Sequence, residues 1–350
     1  MDREDSTHKR LRIGVNSPGP LFMKQQVSGL GFPQNVLLKN HTTFKIGGPA
    51  KLFFIAKTKE DLISALKTAK RLKLPFFILG GGSNLLISDK GYKGLVIKLQ
   101  MSGIKIQDGK IYAQAGTELW GLIELSFKKG LTGLEWAAGI PGTIGGAIYG
   151  NAGAFGSFMA DVIKNITVLD SKTLKIKNIP LKDCKFGNKD SILKHPEGVA
   201  SRRPYGASKK NLIILSAILQ LKKGDKKRVQ EKIKEYLKYR VKTHPLNFPS
   251  AGCAFKNPAL KIKNKKLLNK FPELQEFSKK GLIPTGYLIE KCGLKGKKIG
   301  RAEISEKHAN FIINLGGARA SDVLKLIKLI KEKVKNKFGI NLEEEIQIIS

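Results

Sequence analysis

Cysteine is scarce in this chain. Cys184, Cys253 and Cys292 are the only three in 350 residues, and no Cys-x-x-Cys pair occurs. The five histidines, at 8, 41, 195, 244 and 308, are dispersed as well, so neither a structural zinc nor a disulfide framework is expected. No apolar run approaches the ~18 to 20 residues that a spanning helix needs, so membrane insertion is not expected. Met1 to Gly19 is charged and then rich in Ser, Pro and Gly, without the apolar centre of a signal peptide. A disordered extension over residues 1–34 and a cytoplasmic location follow as expectations. Acidic residues are few, 28 against 64 Lys and Arg, giving a net charge of +36. On composition alone such an excess favours an anionic partner, nucleic acid included. Yet lysine is scattered through every segment, with no basic stripe interleaved with aromatics, no RNA-binding signature, no low-complexity tract and no internal repeat. The charge therefore suits anionic small molecules, and no nucleic-acid partner is expected.

Glycine, by contrast, is plentiful and clustered. In Gly139-Ile-Pro-Gly-Thr-Ile-Gly-Gly-Ala-Ile-Tyr-Gly-Asn-Ala-Gly-Ala-Phe-Gly156 it recurs at 139, 142, 145, 146, 150, 153 and 156. No period of two or 3.6 runs through the segment, which reads as a loop with something lying against bare backbone. Two readings stay open: amides packed against a large flat or polyanionic ligand, or tight packing between two helices or sheets. A second cluster about sixty residues earlier favours the ligand. There the strand-like run from Pro75 ends in Gly80, Gly81, Gly82, Ser83 and Asn84, whose consecutive amides can turn toward a phosphate. It lacks the Gly-x-Gly-x-x-Gly spacing and no helix pattern follows, which counts against a Rossmann site.

The remaining patterns mix helices with antiparallel hairpins, so the fold class is α+β. Lys51 to Ala56 reads as a strand, and Thr58-Lys-Glu-Asp61 caps a helix with Leu62, Leu66, Ala69 and Leu72 on one face. Strands Pro75 to Gly80 and Gly94 to Leu99 follow. Ile104 to Ala115 alternates around Asp108-Gly109 as a hairpin, and Thr117 is expected to cap a helix ending at Gly130. A second hairpin spans Ile163 to Ile179, and Asn211 to Leu221 reads as a long buried strand. Gly224-Asp225 opens a helix that ends before His244, and the start of this helix is a candidate domain boundary. The last helix is expected to be capped at Ser321 and to stop at Gly339, before a strand from Ile340 to Ile349 carrying Glu343, Glu344 and Glu345.

Six segments together carry a family resemblance: Asn40 to Ala50, the Gly80 to Asn84 loop, Gly139 to Gly156, Pro249-Ser-Ala-Gly-Cys-Ala-Phe-Lys-Asn-Pro258, Ser305-Glu-Lys-His-Ala-Asn-Phe311 and Leu342-Glu-Glu-Glu-Ile346. In this order, over roughly residues 35 to 350, they closely resemble the UDP-N-acetylenolpyruvoylglucosamine reductase (MurB) family. The absence of a long insertion between Lys256 and Lys291 is similar to that family's shorter, second type.

The resemblance implies a flavoenzyme of peptidoglycan precursor synthesis in which NADPH reduces bound FAD and hydride then passes to UDP-N-acetylglucosamine enolpyruvate, giving UDP-N-acetylmuramate. It implies a two-subdomain FAD-binding fold of the vanillyl-alcohol-oxidase type, with a C-terminal α+β domain over the substrate. The corresponding division is 35–100 and 101–223 for the FAD subdomains and 224–350 for the substrate domain, with a monomer expected.

Cys253 matches the family's proton donor, the role required once hydride has left negative charge beside a carboxylate; on residue type alone the lesser alternative is a small buried hydrophobe. Glu345 matches the catalytic glutamate, and strand alternation puts Glu343 and Glu345 on one face and Glu344 on the other. By the same likeness, Tyr149, Arg240, Lys256 and Asn257 would bind the substrate. Gly80, Gly81, Gly82, Ser83 and Asn84 would hold FAD together with Gly139, Gly142 and Thr143, then Gly145, Gly146, Asn151 and Gly153.

One departure stands out. Where the family carries Phe-Gly-Tyr-Arg-x-Ser, with an arginine paired to the glutamate, this chain has Phe186-Gly-Asn-Lys-Asp-Ser191, and extra residues near 192–210 follow. Either Lys189 serves as a point charge, without arginine's bidentate fork, or Arg202 or Arg203 fills the position. The competing readings are a related FAD oxidoreductase with another substrate, and a basic nucleic-acid-binding protein without cofactor.

Overall fold

The first helix shows local chemistry setting an element. The Thr58 hydroxyl accepts from the Asp61 N–H at 3.0 Å, and the Asp61 carboxylate accepts from the Thr58 N–H at 2.9 Å, a capping box that starts Lys59–Arg71. Leu62, Ala65, Leu66 and Ala69 follow on its buried face. A computed structural model of the chain describes residues 31–107, 109–194 and 212–350. Arg202, Arg203 and most of the 192–210 stretch lie outside the described residues, as does nearly all of the expected N-terminal extension. The end of that extension is packed rather than disordered: Phe32 is buried and stacks on Phe54 with centroids 4.7 Å apart, and the Pro33 carbonyl accepts from the Phe53 N–H.

Three sheets organise the chain. The first runs Gln34–Leu37, Pro49–Ala56, Tyr92–Leu99, Phe76–Leu79 in space, with one antiparallel pair and two parallel ones. The second is antiparallel throughout, in the order Ile176–Pro180, Ile163–Asp170, Leu212–Gln220, Lys110–Gln114, Ile104–Gln107. The third, also antiparallel, runs Ser250–Cys253, Phe311–Asn314, Ala302–Ile304, Lys298–Ile299. Helix Ala320–Phe338 buries Val323, Leu326, Ile327, Ile330 and Val334 in the core of this last region. Helix Lys226–Thr243, opened by Asp225 accepting from Arg228 N–H at 2.8 Å, instead packs Val229 and Ile233 into the core shared by the first two sheets.

Three expectations are corrected by long-range contacts. Thr117 does not cap Leu119–Lys128; its hydroxyl turns to Gly103, accepting from the N–H at 3.0 Å, and Glu118 takes the N-cap position. Ser321 does not cap the last helix. The Asp89 carboxylate reaches across from the first region to accept from Ala320 N–H at 2.7 Å and Ser321 N–H at 3.1 Å. The expected strand Ile340 to Ile349 is reduced to Gln347–Ile349, because the chain is crossing between regions there. Glu344 forms a single bridge with Phe255, and Gln347–Ile349 then pairs in parallel with Leu85–Ile87. Helix Ala320–Phe338 does end at Gly339, at φ 70°.

Candidate active site

The two glycine clusters meet. A Cβ on Gly81 would lie 2.6 Å from the Gly142 Cα, one on Gly80 would lie 2.7 Å from Thr143 Oγ1, and one on Gly142 would lie 2.8 Å from Ser83 Oγ. Close packing therefore accounts for these positions, as it does for Gly145 against Ala115 and Gly153 against the Phe158 ring. Within Gly139 to Gly156 there is also a short helix, Ile144–Tyr149, where a loop is expected from the sequence; its N-cap hydroxyl, Thr143, accepts from Gly146 N–H. Gly146 and Gly150 differ from their neighbours: a Cβ on either would meet nothing closer than 3.5 Å, and both open onto a large cavity.

That cavity has a volume of about 1880 Å³ and is lined by both loops, the third sheet and the C-terminal segment. Ordinary ligand pockets occupy ~300 to 1,000 Å³, so this one has room for two ligands at once. Its residues fit FAD: bare backbone at Gly146 and Gly150 suits a flat ring system, and the Gly80 to Asn84 loop suits a diphosphate. Leucine at Gly146 tests this fit. With an added Cβ in no more than ordinary contact, 3.5 Å from Thr143 Oγ1, it is expected to leave folding intact, since the substitution also favours the helix, while filling the cofactor bed. Gly146→Leu should purify colourless with an unchanged or raised Tm, whereas a normal flavin content would separate this helix from the cofactor.

Cys253 and Glu345 are brought together by backbone pairing. The Glu345 N–H donates to the Ala254 carbonyl at 2.9 Å and the Lys256 N–H to the Glu343 carbonyl at 2.9 Å, so 253–256 lies beside 343–345. The three glutamates have different partners: Glu345 Oε1 lies 3.2 Å from Lys189 Nζ, Glu343 Oε1 lies 2.6 Å from Lys256 Nζ, and Glu344 turns to Lys331 at 2.8 Å. Only 18% of the Glu345 side chain and 23% of the Lys189 side chain are exposed, so their attraction is little screened. Burial and the Glu345 carboxylate push the Cys253 thiol up to about 12, against the pull of Lys189, Arg240 and a hydrogen bond from Asn310. The thiol stays protonated at neutral pH.

Lys189 reaches Glu345 from a tight turn in which Gly187 and Asp190 exchange both backbone hydrogen bonds. It holds φ 57°, a left-handed conformation costing a non-glycine residue ~1 to 2 kcal/mol, and also donates to the Gly153 carbonyl at 2.9 Å. Such strain is common where a side chain has to be aimed.

The other expected site residues divide between cavity and scaffold. Tyr149 lines the cavity, its phenol pushed up by burial and by Asp190. Lys256 and Asn257 line it too, although the Asn257 carboxamide oxygen is occupied by Thr285 N–H at 2.9 Å. Arg240 is buried and donates to the carbonyls of Ala138 at 2.7 Å and Trp136 at 3.3 Å, so it braces the start of the glycine-rich segment as well as facing the cavity. Asn84 lines the cavity but its amide donates to the Glu345 carbonyl at 3.0 Å, while its own carbonyl accepts from Gln347 N–H at 2.9 Å. Asn151 is a correction: it is buried away from the cavity, donating to the Gly187 carbonyl at 2.8 Å and accepting from Ala160 N–H at 3.1 Å. Two residues of the site were not singled out from sequence, Asn310 and Lys194. Asn310 fastens both the N–H and the carbonyl of Phe255, and it stood within the quoted Ser305 to Phe311 segment.

A flat-ligand bed between two α+β lobes, with a thiol and an ion-paired carboxylate at its edge, defines an FAD-dependent oxidoreductase, and an FAD binding domain model matches residues 50–174. A model of the UDP-N-acetylenolpyruvoylglucosamine reductase C-terminal domain matches residues 244–349. The chain is 39% identical over 316 residues to the UDP-N-acetylenolpyruvoylglucosamine reductase of Caldanaerobacter subterraneus subsp. tengcongensis, covering 90% of this chain and 92% of the relative. With that of Clostridium tetani it shares 38% over 333 residues, covering 94% and 96%. The crystal structure of the Thermus caldophilus enzyme aligns with a TM-score of 0.69 at 32% identity, covering 91% of this chain and all of that one. The chain belongs to the UDP-N-acetylenolpyruvoylglucosamine reductase family.

Among the described residues, no helix is long and apolar enough to cross a membrane, and no group of three or more His, Cys, Asp or Glu is placed to hold a metal ion.

Proposed function

We propose that the protein reduces UDP-N-acetylglucosamine enolpyruvate to UDP-N-acetylmuramate with NADPH, through bound FAD, as a cytoplasmic monomer without a nucleic-acid partner. The observation that carries the reading is the convergence of Cys253 and Glu345, ninety-odd residues apart in sequence, on one cavity beside both glycine clusters. When bound, FAD supplies the hydride for the enolpyruvyl double bond. The chain's own residues do the rest. Cys253 donates the proton to the carbon beside the substrate carboxylate, and its raised pKa keeps that proton in place until negative charge develops next to it. Lys189 and Glu345 hold an ion pair beside the reacting centre, where Lys189 stands as the cation for the developing enolate-like oxygen.

Lys256 and Tyr149 line the wall expected to take the sugar nucleotide. Arg240 supports that wall through the Trp136 and Ala138 carbonyls. The domain division proposed from sequence is kept at 35–100 and 101 onward for the FAD subdomains. Helix Lys226–Thr243 joins the second of these on its packing, leaving the substrate domain to begin near His244.

The direct test is turnover of the enolpyruvyl sugar by purified protein, with product identified by mass. Flavin that NADPH reduces but the enolpyruvyl sugar fails to reoxidise would favour a different substrate. Lys189→Met sharpens the assignment of the cation. Removing a charge-assisted contact of ~1.5 to 3 kcal/mol should lower kcat/KM about ten- to a hundredfold. Unchanged kinetics would move the role elsewhere in the chain.

A further inference from the structure

Lys194 is a cavity residue that the reading above leaves unused. Its ammonium donates to the Lys189 carbonyl and lies 5.8 Å from the centre of the Tyr149 ring. Lys189 has both a carboxylate and a carbonyl partner, and Lys256 has Glu343, but among the described residues Lys194 has a single backbone acceptor for its three N–H donors. A half-buried ammonium with donors left over on a cavity wall is placed to meet an acceptor from whatever fills the cavity.

Resting on the proposed reaction, we infer that Lys194 binds the carboxylate of the enolpyruvyl group, standing with Lys189 in the place where a single arginine would serve. The division of labour follows from geometry: Lys189 shares its charge between Glu345 and the developing enolate-like oxygen, and Lys194, fastened to the Lys189 backbone, presents a second charge to the carboxylate. An arginine offers both functions in one planar fork, whereas two point charges have to be anchored separately. The charged and titratable groups around Lys194 are Lys256, Asp190, Glu345 and Lys189, with the Tyr149 ring on one side. Burial, Lys256 and Lys189 pull its amine down to about 8 against Asp190 and Glu345. The amine is charged below that pH and loses its charge above it, so carboxylate binding weakens as pH rises through about 8.

The test compares wild-type, Lys194→Met and Lys194→Arg proteins carrying FAD. Flavin content and NADPH-driven flavin reduction should be unchanged in all three. KM for the enolpyruvyl sugar should rise about ten- to a hundredfold in Lys194→Met, in line with the loss of one charged hydrogen bond. Inhibition by UDP-N-acetylglucosamine, which has no carboxylate, should be unaltered. In the wild type KM should climb above about pH 8, and in Lys194→Arg, whose guanidinium remains charged, it should stay flat. The inference is overturned by an unchanged KM in Lys194→Met, by equal weakening of both ligands, which would assign the lysine to the diphosphate, or by a pH dependence that survives in Lys194→Arg. A wild-type protein that binds FAD but never turns over the enolpyruvyl sugar would instead overturn the proposed function, and this inference with it.

Discussion

Cys253→Ala is expected to purify with its FAD, to have that flavin reduced by NADPH at the wild-type rate, and to pass hydride on to the enolpyruvyl sugar some 10²- to 10⁴-fold more slowly. The size is that of a lost general acid. The asymmetry between the two halves of the reaction follows from position. Cys253 sits at the end of Ser250–Cys253 in the third sheet, whereas both glycine clusters belong to the first two regions. Losing the sulfur leaves a small void and no charge, so stability should fall by ~1 kcal/mol or less and cannot account for the rate. Cys253→Ser, with a donor in the same place, should recover part of the activity. Separate anaerobic measurements of flavin reduction and of its reoxidation by the enolpyruvyl sugar decide the matter. Equal loss in both half-reactions would remove Cys253 from proton donation.

Much of this arrangement could be read from the chain because the signals are local. The Thr58 capping box, the hairpin around Asp170, the Asp225 helix start and the Gly339 stop each depend on a few neighbouring residues, and each is found where the pattern places it. The failures share one cause, a distant partner that outcompetes the local one. Thr117 has the side chain for a cap but meets Gly103 first, and Ser321 yields to Asp89, 232 residues away. From sequence the glycine-rich segments read mainly as a ligand bed. Half of that reading is packing between the segments themselves, which no spacing rule distinguishes from ligand contact, because a missing Cβ looks the same in either case. Asn84 illustrates the same limit. In a run of Gly-Gly-Gly-Ser-Asn it reads as part of a phosphate loop, yet its amide fastens the backbone of Glu345, a contact spanning 261 residues. Lys194 gives no signal at all in a chain so rich in lysine; only its place on the cavity wall and its single backbone acceptor among the described residues single it out.

Glu345→Gln is expected to slow reduction of the enolpyruvyl sugar by a factor comparable to Cys253→Ala and, unlike that variant, to change the shape of the pH profile. The carboxylate has two effects in this geometry. It holds Lys189 at 3.2 Å, and, after burial, it is the main influence keeping the Cys253 thiol protonated. In the wild type the thiol is pushed up to about 12, so a reaction that needs its proton shows no alkaline loss from Cys253 in the neutral range. With glutamine at 345 the carboxylate contribution disappears while Lys189 and Arg240, both of which favour the thiolate, remain. The thiol pKa must then fall. Activity that depends on the protonated thiol is present below that pKa and is lost as pH rises through it, so the alkaline limb moves down toward neutrality. Glutamine keeps the side chain's shape, and the backbone bonds from Asn84 to Glu345 and from residue 345 to Ala254 do not involve the carboxylate, so FAD content should hold. Rates of flavin reoxidation across pH, with the thiolate followed by its ultraviolet absorbance, would show the two changes moving together. A slowed variant whose profile keeps the wild-type shape would mean that Glu345 acts on the substrate alone and leaves the acidity of Cys253 untouched.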